Sequence, residues 1–271
     1  VFKTIALTGR RLTGEITDPP IMSLYVFAAN PVTSSPNAGL IVAGLRRDDL
    51  FTVVHEQFMT DTASYADIVL PATTQLEHVD LHRAYGHRNL QYNHAAIPPL
   101  GEAKSNWDVM RLLAGAMGYD EPWLHEDADQ AIAGVLAATA ANNPHFAGVT
   151  LERLQAEGSV PLYFAPGREV PFADGVFPTP SGKVELYCAA MRAHDLDPLP
   201  EYVQPAEFRG IPRGNSEEEG PTSLVLISGA SHHYVSSSFA NQPSLQAREG
   251  EPFVEINPAD AAARGIADGV M

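Results

Sequence analysis

Three short apolar segments set the strongest limit on how this chain can fold. They are Ser23–Ala28 ("SLYVFA"), Phe51–His55 ("FTVVH") and Ala66–Leu70 ("ADIVL"). Each is rich in β-branched or aromatic residues, is too brief for a stable helix, and reads as a buried strand. The first is followed by "NPVTSSPN", which is turn chemistry. Ala38–Arg47 ("AGLIVAGLRR") then reads as a helix closed by two cations that suit its C-terminal dipole. Strand, helix, strand, short turn, strand predicts an α/β fold built on a parallel sheet.

Open parallel sheets bind ligands beyond the carboxyl ends of their strands. The three exits read "AANP", "HEQFMTDT" and "LPATT". If the strands are neighbours, Asn30, Glu56, Gln57, Thr60, Asp61, Thr62 and Thr73 lie along one rim. Such a set suits a nucleotide. A carboxylate can accept from a ribose diol or from the N–H edge of guanine. Threonine hydroxyls and the N–H groups of a short helical turn can hold a phosphate. Thr60 and Thr62 carry a second reading, as caps of the turn before "ASYAD". Neither G-x-G-x-x-G nor G-x-x-x-x-G-K-[ST] occurs, so the familiar phosphate loops are absent.

Composition narrows the partners. The net charge of −16 repels phosphate backbones and anionic lipid, which excludes nucleic acid as an expected partner. One cysteine, Cys188, can form neither an internal disulfide nor an iron–sulfur or zinc thiolate site. No run approaches the roughly 18 apolar residues of a membrane helix, so no membrane segment is expected.

Further along, Ser105–Met117 reads as a helix capped by Ser105 or Asn106 and ended at Gly118, and Asp127–Ala141 as a second. "FAPGREVPFADGVFPTPSGKVELY" is dense in Pro and Gly, with short β-like pieces. The expected organisation is an α/β region over 1–209 with helical and irregular additions, a polar linker over 210–222, and a new domain over 223–271. The last opens with a strand, "SLVLI", adds another at Phe253–Ile256, and ends on a short helix that Asn257 caps. The start at Val1 and the stop at "GIADGVM" read as a piece of a longer protein.

"EHVDLHRAYGH" offers a decoy. Glu77, His78, Asp80, His82 and His87 resemble a metal cluster, and His78 with His82 could bind a divalent ion if the stretch were helical. Pro71 and Gly86 flank it, which favours a structural loop and no metal site.

Four motifs in order carry a family resemblance: "LFTVVHEQFMTDTASYADIVLPATTQLEH", "GEAKSNWDVMRLLAGAMGY", "FPTPSGKVELY" and "GEPFVEINPADAAARGIADG". Together they resemble the C-terminal half of a molybdopterin oxidoreductase of the dimethyl-sulfoxide-reductase-like family, which includes formate dehydrogenases and nitrate reductases. The chain has His55 and Glu56 where that family commonly has "QD", so the acidic group is kept.

The resemblance implies a molybdenum or tungsten ion held by two molybdopterin guanine dinucleotides, with an iron–sulfur cluster in some relatives. One dinucleotide is expected on the rim of Asn30, Glu56, Gln57, Thr60, Asp61 and Thr62, with Tyr85 and His87 as pterin or pocket contacts. The loop "SGASHHYVSSSFANQ" is expected to add Gly229, Ser231, His232, His233, Ser237 and Gln242, and Asn257 to follow; Ser236–Ser238 read equally as an exposed polar loop. It also implies that residues 223–271 open a double-psi β-barrel.

The metal ligand and any iron–sulfur cysteines are expected upstream. Cys188 is then a half-buried strand residue and no residue here is catalytic. The implied activity is two-electron redox of a small substrate, with none in isolation. The implied partners are the N-terminal half of the same enzyme, the small-molecule substrate and an electron-transfer subunit, with self-association through apolar surface meant for the missing half. The competing readings are a non-catalytic nucleotide-binding module and a separate subunit that completes such an enzyme in trans.

Overall fold

Ser23–Phe27 (β1), Phe51–Glu56 (β2) and Ile68–Pro71 (β3) pair in parallel, in the order β1-β2-β3. Ser23 sits opposite Phe51 and Val54 opposite Val69, so the three strands run in step to one carboxyl edge. The computed structural model describes residues 8–16, 18–167, 169–202 and 224–270. The chain divides into two units, Val1–Ile211 and Pro212–Met271.

Thr8–Leu12 (α1), Pro31–Ser34 (α2) and Ala38–Leu45 (α3) flank this sheet in sequence. Ile41 and Leu45 of α3 bury against Leu12 and Leu50, which ties α3 to α1. Val26, Val54 and Ala63 form the core beneath the strands. The two cations expected to serve the helix dipole fall just past α3. Arg47 instead donates to the backbone oxygens of Leu12 (2.7 Å) and Ile21 (3.2 Å) and pairs with Asp49. β3 starts two residues later than its apolar pattern predicts. The cause is Asp67, whose carboxylate accepts from the Thr52 N–H (2.7 Å) while its own N–H donates to the Thr52 carbonyl (2.9 Å).

A second, antiparallel sheet comprises Asp80–Arg83 (β4), Asn89–Asn93 (β5) and Ser159–Pro161 (β6), in the order β4-β5-β6. Its core is Leu90, Tyr92, Leu136, Val149, Leu154 and Val160. The helices over it are Ala128–Asn142 (α5) and Leu151–Glu157 (α6), preceded by Asn106–Ala116 (α4). The expected cap at Ser105 forms, its hydroxyl accepting from the Asp108 N–H, and Asp127 with Gln130 makes a reciprocal capping box. Gly118 follows α4 in the left-handed region at φ 78°.

Two expectations for the Pro- and Gly-rich stretch fail. Among the described residues from 162 to 202 there is no strand; the segment turns on itself, as where the Phe177 N–H donates to the Gly182 carbonyl (3.1 Å). Prolines remove ladder donors, so the β-like pieces find no partner. Cys188 is not a strand residue but precedes the short helix Ala189–Ala193 (α7).

In the second unit, described from 224, the helices are Pro243–Glu249 (α8) and Pro258–Ala263 (α9). "SLVLI" and "FVEI" form no strand among the described residues, and Ile227 and Phe253 stay exposed. A few short apolar segments cannot close a sheet by themselves. The expected linker over 210–222 lies outside the described residues. Asn257 does cap α9, its Oδ1 accepting from the Ala259 N–H (2.9 Å).

Candidate functional site

The carboxyl edge of the parallel sheet gathers most of the predicted rim. Asn30 follows β1 at the start of α2, and Thr62 leads into the 3-10 turn Ala63–Tyr65 after β2. The Asn30 Oδ1 accepts from the Thr62 hydroxyl (2.7 Å) and from the Thr62 N–H (3.2 Å). The Thr62 Oγ1 in turn accepts from the Val32 N–H (3.1 Å). The Asn30 amide donates to the Thr33 hydroxyl, which donates to the Asp61 carboxylate. Thr62 is 0% exposed, so its side chain braces the rim from within.

Thr60 caps the turn as its alternative reading foresaw: its hydroxyl accepts from the Ala63 N–H (3.1 Å). Asp61 and Gln57 are exposed and Glu56 is half-buried. The Glu56 Oε1 accepts from the Gln57 N–H (2.7 Å), and the Gln57 amide donates to the Thr73 carbonyl (3.0 Å).

Behind this rim lies a small cavity of about 80 Å³, lined by Ala28, His55, Glu56, Gln57, Ala72, Thr73, His78 and Asn106. His55 is fully buried; its Nε2 meets the Lys104 carbonyl (3.1 Å), while its Nδ1 is a buried polar atom with no partner. Buried polar atoms are nearly always paired, so the orphaned nitrogen singles out His55 among the lining residues. His78 Nδ1 lies 2.8 Å from the Thr73 hydroxyl. Sequence reasoning chose Glu56 and Gln57 for this site but missed His55, His78 and Asn106. His78 looked like a metal ligand and Asn106 like a cap. Nothing local in the sequence brings His78 and Asn106 to the exit of β3; the fold does.

The wall carrying His78 is held by Glu77, which is 7% exposed. Its carboxylate accepts from the Thr74 N–H (2.7 Å), the Thr74 hydroxyl (2.8 Å) and the Leu100 N–H (2.7 Å). These backbone and hydroxyl donors, the Thr74 N–H first, hold the Glu77 carboxyl below the usual carboxylate range.

Within the histidine decoy Asp80–Arg83 form β4, while Glu77, His78 and His87 lie outside the strand as the loop reading expects. His78 and His82 both approach the Asp80 carboxylate, at 4.0 and 3.9 Å, and among the described residues no group of three or more such side chains could hold a metal ion. Tyr85 and His87 lie in the exposed β4–β5 turn, where the His87 Nδ1 accepts from the Asn89 N–H (3.2 Å). No contact among the described residues joins them to the rim. A larger cavity, about 440 Å³, is walled mainly by apolar groups including Tyr163, Phe164, Val170 and Phe172. It contains no predicted site residue and has few groups that could read a nucleotide.

In the second unit, Ser231 and His233 are half-buried, and Gly229 and His232 exposed. The His233 N–H donates to the Ser231 hydroxyl (3.2 Å). Val235 and Ser238 close a tight turn over Ser236 and Ser237. Gln242 precedes α8, and the Asn257 side chain is engaged in its cap. No helix among the described residues is long and apolar enough to cross a membrane.

Comparison with known proteins gives this geometry a lineage. The family described as molybdopterin oxidoreductase matches residues 7–116, and the molybdopterin dinucleotide binding domain matches residues 224–271. A probable oxidoreductase, YoaE, of Bacillus subtilis (strain 168) is 38% identical over 93% of this chain and 35% of its own length. The trimethylamine-N-oxide reductase of Haemophilus influenzae is 32% identical over 94% of this chain and 32% of its own. Among solved structures, acetylene hydratase from Pelobacter acetylenicus superposes with a TM-score of 0.65 at 25% identity, over 96% of this chain and 35% of the other. The chain thus spans about a third of the length of these relatives. Two family matches in chain order, on a mixed α/β fold with a parallel sheet, establish that the chain belongs to the molybdopterin oxidoreductase family.

Proposed function

We propose that the carboxyl edge of β1–β3 holds the nucleotide end of a molybdopterin guanine dinucleotide. The observation that carries this is the small cavity with an orphaned buried His55 Nδ1 beside the half-buried Glu56. Glu56 has one carboxylate oxygen engaged by the Gln57 N–H, leaving the other to accept from a guanine edge or a ribose. His55, Gln57, His78 and Asn106 supply further polar groups around it. The exposed Asp61 extends the rim outward. Asn30 and Thr62 position this edge without facing the ligand, since their side chains are engaged with one another.

The loop over 228–242, with Ser231, His232, His233 and Ser237, serves the same cofactor class, and residues 224–271 form the opening of a double-psi β-barrel. The bound metal–pterin group would supply the two-electron chemistry, and the protein would bind, orient and shield it. The whole protein would act on a small substrate, with its N-terminal half and an electron-transfer subunit as partners. Alone, this chain would be inactive. Family membership supports each of these readings.

The test is cofactor content in the full protein. Glu56→Ala should lower the guanine nucleotide released on denaturation about tenfold or more, as expected when charge-assisted hydrogen bonds are lost, with the thermal midpoint little changed. Undiminished nucleotide would refute the assignment.

A further inference from the structure

We propose that Glu249 is a positioning residue that fixes which nitrogen of His233 a bound phosphate meets. The proposal rests on the reading of the 228–242 loop as a cofactor contact. Its foundation is a close pair. The His233 Nδ1 lies 2.7 Å from the Glu249 Oε2, with side chains 32% and 30% exposed. Glu249 is the last residue of α8, sixteen positions away in sequence, so the contact binds the loop to a helix rather than to its own turn.

A carboxylate can only accept a hydrogen bond, so the nitrogen it meets must carry the proton. The Nδ1 of His233 is therefore the protonated nitrogen, and Nε2 is the one left for a ligand. Nε2 donates to a phosphate oxygen only when the ring is doubly protonated, and the Glu249 carboxylate then supplies the balancing charge. The same carboxylate is held below the usual range first by the His233 bond and next by the Ser231 hydroxyl. Ser231 also accepts the His233 N–H, so backbone and ring are both tied. A conformationally fixed donor loses less freedom on binding an anion than a free one.

Two variants of the full chain separate positioning from folding. Glu249→Gln keeps an acceptor for Nδ1–H and removes the charge; Glu249→Ala removes both. The readouts are the nitrogen chemical shifts of His233, which report the tautomer, and the affinity for inorganic pyrophosphate as probe. The wild type should show Nδ1 protonated, and Glu249→Gln should keep that signature. Glu249→Ala should shift His233 toward the other tautomer. Both variants should bind pyrophosphate about tenfold more weakly, the loss expected for one charge-assisted contact.

An unchanged tautomer in Glu249→Ala, with His233→Ala still weakening pyrophosphate, would overturn the proposal alone. Unchanged pyrophosphate affinity in Glu249→Gln would do the same. If His233→Ala leaves pyrophosphate affinity unchanged, the loop's role as an anion contact fails, and the proposal falls with it. Should Glu249→Ala not fold, the affinity of Glu249→Gln decides.

Discussion

Replacing Asn30 with alanine is expected to weaken the fold and empty the rim together. The Asn30 Oδ1 is the acceptor for both the hydroxyl and the N–H of Thr62, and Thr62 is fully buried. Alanine leaves those groups without their partner, at about 1–3 kcal/mol for each buried group left unsatisfied. The loss also frees the Thr33 hydroxyl, which bridges Asn30 to Asp61. Denaturant unfolding of the full protein should show a lowered midpoint with an unchanged slope. Released nucleotide should fall as well. Asn30→Asp keeps an acceptor at the same place and should recover most of the stability. Recovery of stability without recovery of nucleotide would mean that the amide itself touches the ligand.

Removing the Glu77 carboxylate has the second large effect expected. Three donors converge on it from Thr74 and Leu100, and it is the buried brace of the wall that carries Thr73 and His78. Glu77→Ala should lower the thermal midpoint by roughly 5 °C or more, the scale seen when a buried hydrogen-bond set is broken in a protein of this size. The effect carries a pH signature. The carboxyl is held below its ordinary value in the folded protein, so its contribution is fully present above the unfolded value near pH ~4.3. It is lost as pH falls through the lower folded value. The difference in midpoint between wild type and Glu77→Gln should therefore be largest near neutrality and shrink in acid. A pH-independent difference would assign the loss to packing alone.

What the sequence could reveal followed from how local each signal is. β1, β2 and β3 announce themselves through compact β-branched and aromatic runs, and their shared direction follows from the helix between the first two. The cap at Ser105 is read from adjacent residues and forms as expected. The second sheet was not legible. β4 is the polar stretch "DLHR", β6 is three residues long, and β5 pairs with β6 from about seventy positions away. Neither length nor pattern distinguishes such strands from loops; only the packing of Leu90 and Val160 against Leu136 and Leu154 does.

The failures at "SLVLI" and "FVEI" have the opposite cause. Their local pattern favours strands, but a strand needs a partner, and the described residues supply none. At the site, rim residues at strand exits were legible because topology alone places them. His55, His78 and Asn106 were not, because their role depends on the turn held by Glu77 and on the bond between His55 and Lys104. The inward position of Thr62 was hidden for the same reason: a threonine after a strand can cap, contact a ligand or brace, and only its burial selects the last.

The most direct measurement is an experimental structure of the full cofactor-loaded protein. The expected result is guanosine density at the carboxyl edge of β1–β3, with Glu56 within hydrogen-bond reach of the base or ribose and His55 Nδ1 finally paired. Nucleotide density elsewhere, with the small cavity between Glu56 and His78 left to solvent, would contradict it.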